Sequence, residues 1–552
     1  MRKPLGLLAG VALLSLACGQ AVPSAAPAAG GAQAPAVNQP KSGGVFSKAI
    51  ATDLFDFDPT YGGQSTPNPN ATTQAYDRLV DFKAGPDVKY GEYILVPSLA
   101  EKWTIGPDGK SFTFNLRKGV KFANLPPVNG REFTSADVKW SMEYHQRQTD
   151  ETGKGKPKGS YTFTTENLDA IETPDPYTAV VKFKQPFAPF INYAATYNMV
   201  MMPKEIFQKE GSLRNTMVGT GPFQLDMAAS QKGARWVFKK NPTYFQPGKP
   251  YLDEFRYLVL PEEATRLAAF RTKQVDFYDT VDLQSFQATK DVAGAVFATN
   301  IDPAPNSLYI SQAKGPLTDL KVRKALALSI DRDEFIKTMT GGEGTWRLAG
   351  SRLEDFTDAE IHGMLKYDPA ASKALLAEAG YPNGVSLKLL NRAADAGGAT
   401  KAELLLQSQL KKGGFNVEID AVTKADGTPR LYGGLFDMIL LYEKRFADVD
   451  SFLWDQNHSS GIKPLGTTAS NWIRVNDPKL DTLIEAQRAA VDPAVRKKAL
   501  QDAARYMTEQ VYMLGVYPRL LFNAWHPHVK GYVPQDMQDF QDWGAKNLWI
   551  DK

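Results

Sequence analysis

The stretch LLLQSQLKKGGFNVEIDA, residues 404–421, runs a helix into a strand across a pair of glycines. Leu404–Lys412 has helical character, Gly413-Gly414 ends it, and Phe415–Ala421 reads as the strand that follows. Working outward, Pro369–Ala379 is a helix closed by Gly380 and Pro382. Asp319–Lys337 reads as one long helix with Val322, Ala325, Leu326, Ser329 and Ile330 at helical spacing. The second half of the chain therefore alternates helix and strand, as an α/β body does.

The first half is richer in strands. Gly44–Ile50 alternates Val45, Ser47 and Ala49 against Phe46, Lys48 and Ile50, and Asp56-Phe57-Asp58-Pro59 breaks the extended run. Tyr61–Asn70 is a loop rich in Gly, Pro, Asn, Ser and Thr. Trp103–Arg117 reads as a hairpin, with Pro107-Asp108-Gly109 at the turn and Phe112, Phe114 and Leu116 along one face. Thr134-Ser135-Ala136-Asp137 starts a helix with Thr134 as its cap.

Composition bounds the class. The chain has 552 residues, 43% apolar, 11% aromatic and 23% charged, an ordinary globular balance and more than one core usually supports. Its single cysteine, Cys18, directly follows the apolar run Pro4–Ala17, which follows Arg2-Lys3. That order is an export signal, too short for a membrane span. Ser15-Leu16-Ala17-Cys18 resembles a bacterial lipobox, with Ser15 where that motif usually has leucine; the resemblance implies acylation of Cys18 and cleavage before it. Residues 19–44 are an Ala/Pro/Gly/Gln/Ser run with one charge, Lys41, and read as a disordered tether. Loss of Arg2 and Lys3 with the signal leaves 62 basic against 61 acidic residues, so no electrostatic footprint for nucleic acid is present. Acylation of Cys18 leaves no thiol for a disulfide, a metal or catalysis.

Catalytic signatures are missing. Gly106–Ser111 lacks the glycine spacing of a phosphate loop, and neither Gly-x-Ser-x-Gly nor His-Glu-x-x-His occurs. His526-Pro527-His528 is the one close pair among five histidines and reads as a solvated turn, with a metal as the sharper alternative. Gly219-Thr220-Gly221-Pro222 reads as a tight turn, and Arg323 and Lys324 as solvated or paired with Asp319 or Asp331.

A series of tags runs through the body: Asp58-Pro59, Tyr76-Asp-Arg-Leu-Val80, Pro97-Ser-Leu-Ala-Glu-Lys-Trp103, Leu116-Arg-Lys-Gly-Val-Lys-Phe122 and Thr134-Ser-Ala-Asp-Val138. Gly219-Thr-Gly-Pro-Phe223, Asn241-Pro-Thr-Tyr244, Val322-Arg-Lys-Ala325, Ile330-Asp-Arg332, Ala379-Gly-Tyr-Pro382 and Asp448–Phe452 continue it. In this order they resemble the family 5 solute-binding proteins of ABC importers, the dipeptide and oligopeptide binders. The resemblance implies a periplasmic-binding-protein-like α/β fold of two lobes that close on a ligand. It maps the first lobe to 45–88, 200–305 and 518–552, an inserted subdomain to 89–199 and the second lobe to 306–517. It further implies a monomer without cofactor, outside the cytoplasmic membrane, working with importer permease subunits.

The same resemblance places ligand residues. The early loop points to Ser65, Thr66 and Asn68, the region before the helix at 404 to Arg392, and an aromatic position to Tyr442. The acid that fixes a peptide's amino terminus in relatives aligns with Arg445, a cation, beside Lys444; Glu443 substitutes only if the loop shifts. Trp346 and Trp454 offer stacking faces, with core packing as the alternative. Two arginines with amides and aromatics suit a peptide or peptide-like carboxylate first and an oligosaccharide second. An exported hydrolase, or an adhesin or chaperone without an importer, is the reading from another class.

Overall fold

The computed structural model describes residues 39–54, 56–60, 68–85, 87–146, 164–351, 355–392, 399–443, 448–534 and 544–551, without the side chains of 68–70 and 303. Ten strands form one sheet in the order Phe415–Ala421, Val385–Asn391, Met438–Tyr442, Val296–Ile310, Met513–Trp525, Phe277–Thr280, Val45–Ile50, Glu254–Val259, Arg235–Lys240 and Phe223–Leu225. Two of these, Val296–Ile310 and Met513–Trp525, are long and antiparallel to each other, paired from Val296 opposite Trp525 to Tyr309 opposite Met513. They join two halves with separate interiors. One core draws on Phe46, Phe112, Phe190, Phe255 and Ile550, the others on Leu308, Leu326 and Leu406 and on Tyr309, Phe452 and Ile484. Burial of apolar side chains on both sides of the crossing holds each half as its own body. Residues Pro40–Lys552 form one compact unit.

Ala100–Ile105 pairs antiparallel with Ser111–Leu116, the hairpin the turn residues predict, and Phe112, Phe114 and Leu116 face inward. Thr178–Phe183 and Leu168–Asp175 complete that four-stranded sheet, with helix Ser135–Gln146 packed against it. The predicted helix Asp319–Lys337 is two helices, Leu320–Leu328 and Arg332–Thr340. The break has a local cause. Ser329 turns its hydroxyl to Ala325 O and Ser372, and Asp331 accepts from Glu334 N as the cap of the second helix. The helix before Phe415 begins at Lys401, where Thr400 and Glu403 form a reciprocal capping box.

Two further expectations change. Arg323 is buried, not solvated: its guanidinium donates to the carbonyls of Gln510, Leu317 and Thr318 and lies 5.3 Å from the Tyr512 ring. His526 is also buried, stacked on Phe270, while His528 Nε2 lies 2.7 Å from Asp276 Oδ1, so an acid stands beside the pair. Gly219-Thr220-Gly221 is a close approach of two backbones. A Cβ at Gly219 would sit 2.0 Å from Ala75 O, and Gly221 N donates to that oxygen.

Candidate functional site

Val385–Asn391 and Met438–Tyr442 run parallel, so Arg392 and Tyr442-Glu443 leave the sheet at the same side. The carboxyl ends of parallel strands are where open α/β sheets present ligand groups, because loops diverge there and leave a crevice. The neighbouring strand sets how this edge is built. Asn306 stands opposite both Tyr442 and Tyr517, and Glu443 N donates to Pro305 O at 3.0 Å. The register of Val296–Ile310 shifts between Asp302 and Asn306, a bulge where the chain passes from one core to the other. The strand ends therefore meet the crossover between the halves.

Side chains converge there. Arg519, on the second crossing strand, holds its guanidinium 4.2 Å from the Tyr442 ring centroid and pairs with Asp302 at 3.3 Å. The Glu443 carboxylate is fully buried and accepts from Gly350 N at 3.2 Å and Ser307 Oγ at 3.4 Å. Arg392 is half-buried, and its Nη1 donates to Thr428 Oγ1 at 3.2 Å. Burial lowers the Arg392 pKa from the usual guanidinium value, a cost that a ligand carboxylate would offset. Burial also pushes the Tyr517 phenol up to about 12, with Glu403 adding to the rise.

Trp346 lies four residues before Gly350. Its Nε1 donates to Asp333 Oδ1 at 2.7 Å, and its ring packs 4.1 Å from His362 and 5.7 Å from the buried Arg332 guanidinium. Arg332 in turn donates to Gly515 O on the crossing strand at 2.8 Å. Trp454 lies elsewhere, with one face 3.6 Å from the Arg488 guanidinium and its ring stacked 4.0 Å from His458. Asn68 opens helix Asn68–Ala75. Ser65, Thr66, Lys444 and Arg445 lie outside the described residues, as does Cys18. Among the described residues no group of three His, Cys, Asp or Glu side chains is placed to hold a metal, and no helix is long and apolar enough to cross a membrane.

Immediately after residues 444–447, Asp448 and Asp450 anchor a buried ionic network. Arg496 forks onto Asp448, with Nη1 to Oδ2 at 2.8 Å, and Arg488 onto Asp450 at 2.7 and 2.9 Å. Asn192 donates to Asp448 at 2.6 Å, Tyr193 to Asp450 at 3.3 Å, and Ala188 N to Arg488 O at 2.8 Å. Burial and Asp450 raise the Tyr193 phenol far above its ordinary value, so it stays a donor. The network ties Phe187–Tyr193, part of the Phe46 core, to the segment that bears Phe452.

Sequence reasoning missed Arg519, Ser307 and Gly350. Arg519 reaches Asp302 across 217 residues, and Ser307 and Gly350 reach Glu443 across 136 and 93, separations that no local pattern encodes.

Residues 95–464 match the family model for bacterial extracellular solute-binding proteins, family 5 Middle. Heme-binding protein A of Haemophilus influenzae is 28% identical over 533 residues, covering 89% of this chain and 90% of its own length. The dipeptide-binding protein of Escherichia coli K12 is 27% identical over 506 residues, covering 87% and 89%. The structure of the ABC transporter-associated periplasmic binding protein DppA from Helicobacter pylori in complex with peptide STSA superposes with a TM-score of 0.74 at 24% identity, over 93% of this chain and 99% of that one. The two cores joined by crossing strands are the two-lobe α/β fold of periplasmic binding proteins, and the chain belongs to the bacterial extracellular solute-binding proteins of family 5.

Proposed function

We propose that this protein captures a small peptide or peptide-like carboxylate between two closing lobes outside the cytoplasmic membrane and delivers it to the permease of an ABC importer. The observation that carries this reading is the meeting of Arg392, Tyr442 and Glu443 with Arg519 where parallel strand ends reach the crossover. A solute bound there touches both halves, so its contact energy favours the closed state. The lobes follow the boundaries 45–88 with 200–305 and 518–552 for the first, 89–199 for its insert and 306–517 for the second; the Phe46 core, shared by the first lobe and its insert, and the Leu308 and Tyr309 cores, both in the second, support the division between lobes. Acylation at Cys18 anchors the monomer to the membrane through the tether 19–44.

Arg392 meets the ligand carboxylate, and Tyr442, Trp346, Ser65, Thr66 and Asn68 add further ligand contacts. Glu443 is engaged by Gly350 and Ser307, and Arg445 is a cation, so recognition does not centre on a free peptide ammonium. The test is a thermal-stability screen of residues 40–552 against free and N-acetylated di- and oligopeptides, oligosaccharides and small carboxylates. Equal shifts with free and N-acetylated peptides are expected, with selectivity altered in Arg445→Asp. A shift only with oligosaccharides overturns the peptide assignment and leaves the importer role standing; hydrolysis of the bound compound overturns the binding-protein role.

A further inference from the structure

Away from the strand ends, the four-stranded sheet of the insert meets the second lobe at a polar boundary. At the hairpin turn, a Cβ on Gly109 would sit 3.3 Å from Val491 Cγ2 and 3.7 Å from Ala489 O. Phe187 N donates to Gly109 O at 2.8 Å, and Ala188 N donates to Arg488 O at the same distance. Asn192 and Tyr193 follow and reach Asp448 and Asp450. On one side of this contact, Phe187, Phe190 and Tyr193 share an apolar core with Phe46 and Phe255 of the first lobe. On the other side, Val449, Phe452 and Ile484 belong to a core of the second.

Charge is divided unevenly across the boundary. Both carboxylates take their cations from their own side, Asp448 from Arg496 at 2.8 and 2.5 Å and Asp450 from Arg488 at 2.7 and 2.9 Å. Gln487 joins them, donating to Asp450 and accepting from Arg496 Nη2 at 2.9 Å. In these contacts the insert supplies neutral groups: the Ala188 N–H, the Asn192 amide, the Tyr193 hydroxyl, and the Phe187 ring 4.7 Å from the Arg488 guanidinium. Parting a buried salt bridge leaves two charges to be solvated separately, at large cost. Parting neutral donors from an ion pair that stays whole leaves lone pairs that water refills, at small net cost. A contact of this kind fixes register and still releases.

We propose that this boundary is the closing latch of the protein: the insert docks on Asp448 and Asp450 when the lobes close and parts from them when they open. The latch rests on the two-lobe closure proposed above. Because the insert and the first lobe share one apolar core, a rotation at the crossing strands carries the second lobe past both together, and the polar boundary is the surface that separates. The latch touches no solute. Its neutral donors set the fraction of empty protein that stands closed, and apparent affinity scales with that fraction. Asn192 and Tyr193 therefore tune affinity for every solute alike and leave selectivity to the strand ends.

Residues Pro40–Lys552, a compact unit, lack the single native cysteine, so paired cysteines can carry spin labels. Glu172→Cys with Lys498→Cys spans the boundary, and Glu172→Cys with Lys239→Cys stays on the first-lobe side; all three side chains are exposed. Distances are read by pulsed electron resonance without added solute. Asn192→Asp sets a carboxylate against Asp448 and should raise the ratio of long to short distances across the boundary about 10-fold. Tyr193→Phe removes one hydroxyl, keeps the ring in its core, and should raise the ratio about 3-fold. Asn192→Asp/Asp448→Asn moves the acid across the boundary, gives Arg496 a partner on the insert, and should restore the short distance. The first-lobe pair should hold one distance throughout. A boundary distance unmoved by Asn192→Asp and Tyr193→Phe, no recovery in the double variant, or an equal shift within the first-lobe pair overturns the latch. The thermal screen with free and N-acetylated peptides reads the binding proposal separately: peptide-induced shifts with an unmoved boundary distance remove the latch alone.

Discussion

Neutralising Asp450 tests whether the buried ionic network is the seam between the halves. Asp450 is fully buried and accepts both arms of Arg488, the amide of Gln487 and the Tyr193 hydroxyl. Asp450→Asn keeps the shape but strands the Arg488 cation between Trp454 and Phe187, with no carboxylate against it. Removing one partner of a buried pair costs about 3–5 kcal/mol, whereas replacing both by apolar groups is often close to neutral. Guanidinium denaturation followed by tryptophan fluorescence should therefore show Asp450→Asn and Arg488→Met each losing about 3 kcal/mol or more. Asp450→Leu/Arg488→Met should recover a large part of that, with a coupling of about 2 kcal/mol. The singles should also broaden the transition, because Phe187–Tyr193 and Phe452 belong to different cores. Single costs below about 1 kcal/mol, or additivity to within about 0.5 kcal/mol, would refute the reasoning.

Other outcomes follow from single features. Burial pushes the Asp77 carboxyl up to about 6, offset in part by Lys546 and Arg78. A carboxyl raised on folding holds its proton better in the folded state, so this group stabilises as pH falls through about 6 toward its ordinary 3.8 and weakens the fold as pH rises. The wild type should lose about 1.4 kcal/mol more than Asp77→Asn between pH ~5 and pH ~7.5; equal pH profiles in thermal melts would count against it. Gly219→Ala drives a methyl into Ala75 O and should cost about 1–3 kcal/mol or more, while Gly363→Ala, with open space around it in helix Asp358–Met364, should stabilise by up to about 1 kcal/mol. Arg392→Gln should weaken a carboxylated ligand about 10- to 100-fold by calorimetry with an unchanged melting midpoint; unchanged affinity removes Arg392 from the site.

The elements that were legible in the sequence are those whose signals are local. The hairpin at 103–117 announces itself by a Pro-Asp-Gly turn and alternating phenylalanines, and Phe415–Ala421 by the glycines before it. The break at Ser329–Asp331 was not legible, because apolar spacing continues through it and only the competing Asp331 cap divides the helices. Arg323 shows the same limit from the other side: a charge on a helix reads as solvated until distant carbonyls at Leu317 and Gln510 are folded around it. At the candidate site, Tyr442, Glu443 and Arg392 were reachable through family tags. Arg519 was not, since its place against Tyr442 depends on the register of two strands that cross between cores.

The bulge between Asp302 and Asn306 interrupts the ladder at the rung that faces Tyr442. A rotation axis set there gives the strand ends almost no lever arm, while the outer margins of the lobes sweep widely. Under the proposed closure, a solute seated at the axis would be gripped by groups that barely travel, and its length would be measured farther out, where the walls move most. Recognition of a charged end and tolerance of size would in this way fall to different radii of one motion.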